Sequence, residues 1–522
     1  MTAHQQKPAD ARIRVILFAL WLAVTIPLVL AHVFWRDEVR ALSLSLQGNT
    51  LSEMFKALRG DGHPILWYLL LRAGHAVMGS MVLPVAAFAI GLTSMALLLW
   101  RSPFTSLTLA LVVFSHFAAW EYVVMARNYG ISMLLMFAFA AAYPRWRDRG
   151  IWLVLPLTLL AETNVHSAIL AGGLLGVWLT DVFPGKDRIG QWLVRRVLPA
   201  SLCMLIAVLI CFLTVWPTFN DAAVNQTPVT GTRLFLAAIV PGIGFASTLP
   251  ILPMVAMSLT LAGATLILHG RPFHILAAWI ALGAMSLLFT VMYGASDRHR
   301  ELWIVYLITL FWMRLDRDRE EGRQIYPNRI KAVGQAAFTV LLAVYVAKFG
   351  ITAASQLQAP SSRSYDLAQL IASSADLNRA IAISDPDYAL EALPYYSPST
   401  PIWRIRQGGF STINHFTSHD AKLDLKLHDI TQTARLLSAC NSRPVLVILQ
   451  RSPVPGQPAE FTSGYNWTTR YSLLDIAEFL KETEKLKQFG AVTTDESFTV
   501  YRLKAKEVER VSVSACRDYR LN

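Results

Sequence analysis

The sequence predicts a mainly α fold: a polytopic bundle of about eleven transmembrane helices carrying a C-terminal extracytoplasmic α/β domain. Three observations predict it. Hydrophobic residues make up 54% of the chain and charged residues 16%, far from an average soluble domain. Apolar runs of about 20 residues recur, each long enough to cross the hydrocarbon core as a helix. Beyond Gly350 those runs stop, and short β-like runs alternate with helical ones.

The elements follow in order. A polar start, Met1 to Asp10, leads through Arg12 and Arg14 into an apolar run from Val15 to Val33. That run is long for a signal peptide and no small-x-small cleavage site follows it, so it reads as an uncleaved first span. Spans are expected at 14–33, 82–100, 105–122, 129–143, 151–161, 166–180, 198–216, 249–268, 273–292, 301–314 and 331–350. The loops rich in Lys and Arg then all fall on one side: Arg101; Arg145, Arg147 and Arg149; Lys186, Arg188, Arg195 and Arg196; Arg271; and the cluster from Arg314 to Lys331. Cytoplasmic loops carry this excess. The net charge of +12 therefore reflects topology, not a nucleic-acid partner. The N-terminus is expected inside and the C-terminal domain outside a bacterial inner membrane.

Two apolar segments are not counted as spans. Ile65 to Met78 is interrupted by Arg72 and His75 and reads as an amphipathic interfacial helix. Phe235 to Phe245 carries Pro241, Gly242 and Gly244, which suits a segment at the outer interface or a re-entrant one. The expected domains are 1–350, with a first outer loop at 34–81, and 361–522, joined by a linker from Gln358 to Ser364. Within the second, Ala380–Ser384, Pro444–Gln450 and Phe498–Leu503 read as strands and Leu473–Phe489 as a helix. Cys203 and Cys211 are kept apart along one membrane helix. Cys440 and Cys516, in the outer compartment where disulfides persist, are expected to pair.

Four polar clusters fall on the outer side: Trp35-Arg36-Asp37-Glu38, Asp61-Gly62-His63-Pro64, Arg127-Asn128-Tyr129 and Ser296-Asp297-Arg298-His299-Arg300. Ionisable side chains at membrane depth are costly and usually face a protein interior or a water-filled cavity. Their convergence on one face reads as an active site. An acidic pair after the first span, then His-Pro before an aromatic-aliphatic helix, then Arg-Asn-Tyr, resembles the GT-C superfamily of integral-membrane glycosyltransferases. The resemblance is strongest to protein O-mannosyltransferases and lipid A aminoarabinose transferases, and it covers roughly residues 12–350. It implies inverting transfer of a sugar from a polyprenyl-phosphate donor to an envelope acceptor hydroxyl, outside the membrane. The partners so implied are that donor, membrane lipid, and a glycan, lipid or protein acceptor.

The chemistry sets its own requirements. A hydroxyl is a weak nucleophile, so a carboxylate must take its proton as attack proceeds; Asp37 is the first candidate and Glu38 the second. A leaving phosphate needs fixed positive charge, and guanidinium matches phosphate geometry; Arg127, Arg298 and Arg300 qualify. His63 could position the base, and Tyr129, His166 and Asp297 complete the substrate-binding candidates. Each has a bland rival. The acidic pair could be solvated interfacial charge, His63-Pro64 a helix start, Arg127 a snorkelling residue, and Asp297 a partner for Arg298. Arginine on the outer side nevertheless runs against the topology rule.

The chain also departs from those relatives. His63-Pro64-Ile65 stands where aminoarabinose transferases carry Lys-Pro-Pro, and no carboxylate follows Arg127 within Asn128-Tyr129-Gly130-Ile131. That removes one ligand for a divalent metal, the sole cofactor the sequence leaves open. No Cys/His cluster has zinc spacing, and no P-loop or dinucleotide fingerprint is present. Two alternatives remain: a polysaccharide polymerase or ligase using lipid-linked oligosaccharide, and a transporter or flippase for lipid-linked sugar. The latter commonly binds its substrate near the midplane between internal repeats, and no repeat is visible.

Overall fold

The computed structural model describes residues 9–149, 151–216, 229–245, 251–322, 329–416, 421–463, 465–504 and 516–521. The membrane part runs α1 (Ala11–Ala31), α2 (Arg36–Ser45), α3 (Leu51–Leu58), α4 (Leu66–Met78), α5 (Val82–Arg101), α6 (Ser106–Val113), α7 (Tyr129–Trp146), α8 (Val154–Ala161) and α9 (Val165–Asp181). It continues with α10 (Ile189–Trp192), α11 (Leu198–Val215), α12 (Gly231–Ile239), α13 (Gly242–Phe245), α14 (Ile251–Thr265), α15 (Pro272–Val291), α16 (Asp297–Glu320) and α17 (Arg329–Gln358). All eleven expected spans fall on helical segments, although 151–161 yields only α8, and residues 249–250 lie outside the described ones. Five described runs are long and apolar enough to cross a membrane: Ala11–Ala31, Leu66–Arg101, Lys186–Val215, Pro272–Val291 and Arg329–Gln358. The protein is an integral membrane protein.

Local chemistry fixes the pieces that position the polar clusters. Asp10 caps α1 by accepting the Arg12 backbone N–H at 2.9 Å. The buried Arg14 guanidinium donates to the carbonyls of Ala9, Leu99 and Ser102, tying α1 to the end of α5. α16 is the central helix. Its residues from Leu302 to Met313 are buried on every side, as expected of a helix apolar all round. After α6 the chain makes a π-helical turn, Phe117–Glu121, and then runs without regular structure to Asn128. Non-helical backbone at membrane depth is tolerated where protein surrounds it, and residues 122–128 are all buried.

α2, α3 and α4 form a small layer in which Val39, Leu42, Trp67, Tyr68 and Leu71 share a core with Ala392 and Ile413 of the C-terminal part. Arg72, which interrupts the apolar run of α4, donates to the carbonyls of Ser45, Gln47 and Gly48 just past α2. Gly79, at φ 59°, ends α4, a left-handed conformation at which a side chain would be strained.

The C-terminal part contains α18 (Ser364–Ala372), α19 (Leu393–Tyr396), α20 (Leu427–Asn441) and α21 (Leu473–Glu482). Its strands are β1 (Ile381–Asp385), β2 (Ile402–Arg404), β3 (Gly409–Phe410), β4 (Asp424–Lys426), β5 (Val445–Leu449), β6 (Ala459–Thr462), β7 (Thr468–Tyr471), β8 (Thr483–Gln488) and β9 (Thr499–Leu503). One sheet has the order β3-β2-β1-β5-β9-β8 and a smaller one β4-β7-β6. β1 and β5 pair in parallel and are buried along their whole length, as apolar strands covered on both faces must be. The three expected strands occur. The expected helix at 473–489 does not run that far: it stops at Glu482. β-branched Thr483 begins β8 instead, which pairs antiparallel with β9. Cys440 and Cys516 form the expected disulfide, closing 76 residues of chain.

Candidate active site

Asp37 sits in the first turn of α2, where a helix N-terminus favours negative charge. Its Oδ2 receives a hydrogen bond from Arg298 Nη2 at 3.1 Å and faces Arg127 Nη1 at 2.6 Å. Arg36 Nε stands 3.7 Å from the other oxygen, Oδ1. The side chain keeps 22% of its surface exposed, against 7% for Arg127 and 19% for Arg298, so the carboxylate is the open member of the cluster. Burial alone would push its pKa up. Arg127, then Arg298, then Arg36 override that and hold it well below the usual carboxylate range.

Each guanidinium is braced from behind. Arg127 lies 5.8 Å from the centre of the Tyr129 ring, with Nη2 at 3.3 Å from His63 Nε2. Arg298 lies 5.6 Å from the Trp35 ring centre. The Tyr129 hydroxyl meets His299 Nε2 at 2.9 Å, and the His299 ring stacks on His166 at 4.7 Å. His166 in turn meets the Tyr293 hydroxyl at 3.2 Å. Tyr129 and His166 are thus a buried wall behind the arginines.

Three sequence candidates are placed differently from the reading that selected them. Glu38 is fully buried and both of its oxygens are spent. It accepts the backbone N–H of Trp35 at 3.1 Å and of Ala126 at 2.6 Å, and it pairs with His32 Nε2 at 2.9 Å. It tethers α2 to the irregular segment that aims Arg127, whereas the sequence reading made it the second candidate base. Asp297 and Arg300 leave the cluster because helical rotation separates them from Arg298. Asp297 pairs with Lys348 of α17 and, at 3.6 Å, with Arg300. Arg300 donates to the Ala295 carbonyl at 2.6 Å. The membrane-depth His116 is paired, its Nδ1 2.7 Å from Glu301 Oε1.

The C-terminal part closes on α2 in a way sequence reasoning missed. Arg36 packs against Tyr388 and Trp35, 4.7 and 5.2 Å from the ring centres, and pairs with Asp495. Its backbone N–H donates to Glu496 Oε1 at 2.7 Å. Arg40 bridges Asp61 at 2.8 Å and Glu391 at 2.5 Å, and donates to the Asn414 carbonyl at 2.9 Å. Burial would raise the Asp61 pKa, but Arg40 outweighs it and brings the group to about 2. No local signal could have linked residues so far apart in the chain.

Among the described residues no group of three or more His, Cys, Asp or Glu could hold a metal ion. The carboxylates nearest the site do not suit one either, since Asp37, Glu38 and Asp61 are each engaged by cationic or N–H partners.

No protein-family model matches the chain, and no curated protein matches it. Among solved structures the chain is similar to ArnT from Cupriavidus metallidurans in its apo state, at 13% identity and a TM-score of 0.47, over 94% of this chain and 98% of that one. It is also similar to the same protein bound to undecaprenyl phosphate, at 15% identity, the same TM-score and the same coverage.

Proposed function

We propose that the chain is an inverting membrane glycosyltransferase of the GT-C type, moving a sugar from a polyprenyl-phosphate donor to an acceptor hydroxyl at the outer face of a bacterial inner membrane. One observation carries the reading: a partly exposed carboxylate at the outer end of the first span, held between two guanidiniums from distant parts of the chain. In this reading Asp37 takes the proton of the acceptor hydroxyl as its oxygen attacks the anomeric carbon. The bond from that carbon to the phosphate oxygen breaks, and the polyprenyl phosphate leaves with the electron pair. Arg127 and Arg298 neutralise the charge that develops on it. A single displacement inverts the anomeric centre.

His63, Tyr129 and His166 support the arginines in this reading and do not meet the reacting atoms. The N-terminus is cytoplasmic and the C-terminal part extracytoplasmic; the acceptor is a glycan, lipid or protein of the envelope. The test is transfer from labelled polyprenyl-phosphate monosaccharides by the purified protein in lipid nanodiscs, run beside oligosaccharide diphosphate donors. Asp37→Asn should lower transfer by roughly 100- to 10,000-fold, the range of a lost general base, with insertion and melting intact. Near-normal turnover by that variant would sink the assignment, and turnover of the oligosaccharide donors alone would favour a polymerase or ligase.

A further inference from the structure

Both arginines converge on one oxygen of Asp37, and that raises a conflict within the transferase reading on which this inference rests. A carboxylate engaged by two guanidiniums is a weak base, yet the same guanidiniums are the groups that must meet the phosphate. We infer that Asp37 Oδ2 stands in the place of a donor phosphate oxygen, so that the arriving lipid phosphate takes Arg127 and Arg298 and releases the carboxylate to act as base.

The geometry supports an exchange of anions. Arg127 and Arg298 are held from behind, by the Tyr129 ring with His63 and by the Trp35 ring respectively. They are therefore the fixed partners, and the anion is the part that moves. Buried donors also remain unspent. Arg298 Nε and Arg36 Nε have no hydrogen-bond partner among the described residues, so N–H donors remain for an entering phosphate. The charged and titratable groups around Asp37 are Arg36 on its own helix, Arg127, Arg298, His63 behind Arg127, and Tyr465 from the C-terminal part. Glu38 also acts on Arg127 and Glu121 on Arg298, but the Glu38 oxygens are held by the Trp35 and Ala126 N–H groups and by His32. The base thus stays masked until a donor is seated, which protects against futile proton abstraction in an empty site.

The experiment measures binding of undecaprenyl phosphate to wild type, Asp37→Asn and Asp37→Ser in nanodiscs, with undecaprenol as the uncharged control and melting curves to verify folding. The exchange predicts that both variants, lacking the competing carboxylate, bind the phosphate lipid at least about 10-fold more tightly. Binding of undecaprenol should not change. Equal or weaker binding of the phosphate lipid by folded variants overturns the inference while leaving the transferase reading standing. Failure of the wild type to bind the phosphate lipid removes that reading, and this inference with it. Isotope-edited infrared spectra of wild type supply a readout without substitution: the lipid should raise the pH at which the Asp37 carboxylate band disappears. An unmoved band would also overturn the exchange.

Discussion

Arg40→Met tests whether the C-terminal part holds the helix that carries Asp37. Arg40 lies one turn beyond Asp37 in α2, and its guanidinium joins Asp61, between α3 and α4, to Glu391 of the C-terminal part. The carboxylate side chains it neutralises are 6% and 1% exposed, so neither can turn to water. Removing one member of a buried ion pair costs about 3–5 kcal/mol, because the other charge is left uncompensated. Residual partners favour the lower end: Asp61 keeps the Tyr68 hydroxyl and Glu391 keeps the Asn414 N–H at 2.9 Å. For a unit of some 160 residues, a loss near 3 kcal/mol lowers the melting temperature by roughly 10 °C. Adding Glu391→Gln should restore about half of it, since one of the two stranded charges is then gone while Asp61 remains. Tryptophan-fluorescence melting of the four proteins in one detergent reads both effects, and transfer rate should fall with stability in the single variant. A drop under about 2 °C, or a double variant no better than the single one, would refute the idea of a buried interdomain clamp.

Three further outcomes are expected. Arg127→Lys should lose roughly 10- to 100-fold in transfer, because one ammonium cannot replace a fork that meets both Asp37 and His63; unchanged donor affinity and rate would make Arg127 a purely structural residue. Glu38→Gln should destabilise the fold by about 2–3 kcal/mol through its lost charged hydrogen bonds, while the folded fraction still turns over; a folded, stable but inactive protein would return Glu38 to the chemistry. Glu496 is pushed up to about 8 by burial, partly offset by Arg36. Its folded pKa therefore exceeds the unfolded value of about 4.5, and the stability it contributes below that value is lost as pH rises toward 8. Glu496→Gln should match wild type near pH 4 and become the more stable protein above pH 8, by a few kcal/mol at most. Parallel pH–melting curves would disprove this.

What the sequence disclosed followed from rules that act along the chain. Apolar length located the helical segments, and the expected sidedness of Lys and Arg drew attention to Arg127. Alternating apolar runs marked β1, β5 and β9, and compartment marked the Cys440–Cys516 pair. The misreadings occurred where a long-range partner decides. Leu473–Phe489 looks helical over its length, but the free edge of β9 recruits Thr483–Gln488 as a strand. Glu38 is indistinguishable from Asp37 in sequence, yet one residue of helix rotation turns it inward, to His32 and the Ala126 N–H.

The same rotation explains why α16 divides its polar residues between two tasks. Arg298 faces α2, His299 faces Tyr129, and Asp297 with Arg300 faces Lys348 on α17. The five consecutive polar residues Asp297 to Glu301 can precede the buried apolar stretch of α16 because each is met by a polar partner around the helix, Glu301 by His116. The other interhelical partners come from α2, α7 and α17. The arrangement makes the N-terminal end of α16 a fixed reference for the segment that carries α2. Asp37 is registered against it through Arg298, and the C-terminal part registers α2 a second time through Arg36 and Arg40. Two independent anchors on a ten-residue helix leave the Asp37 side chain as the part free to respond when an anion enters.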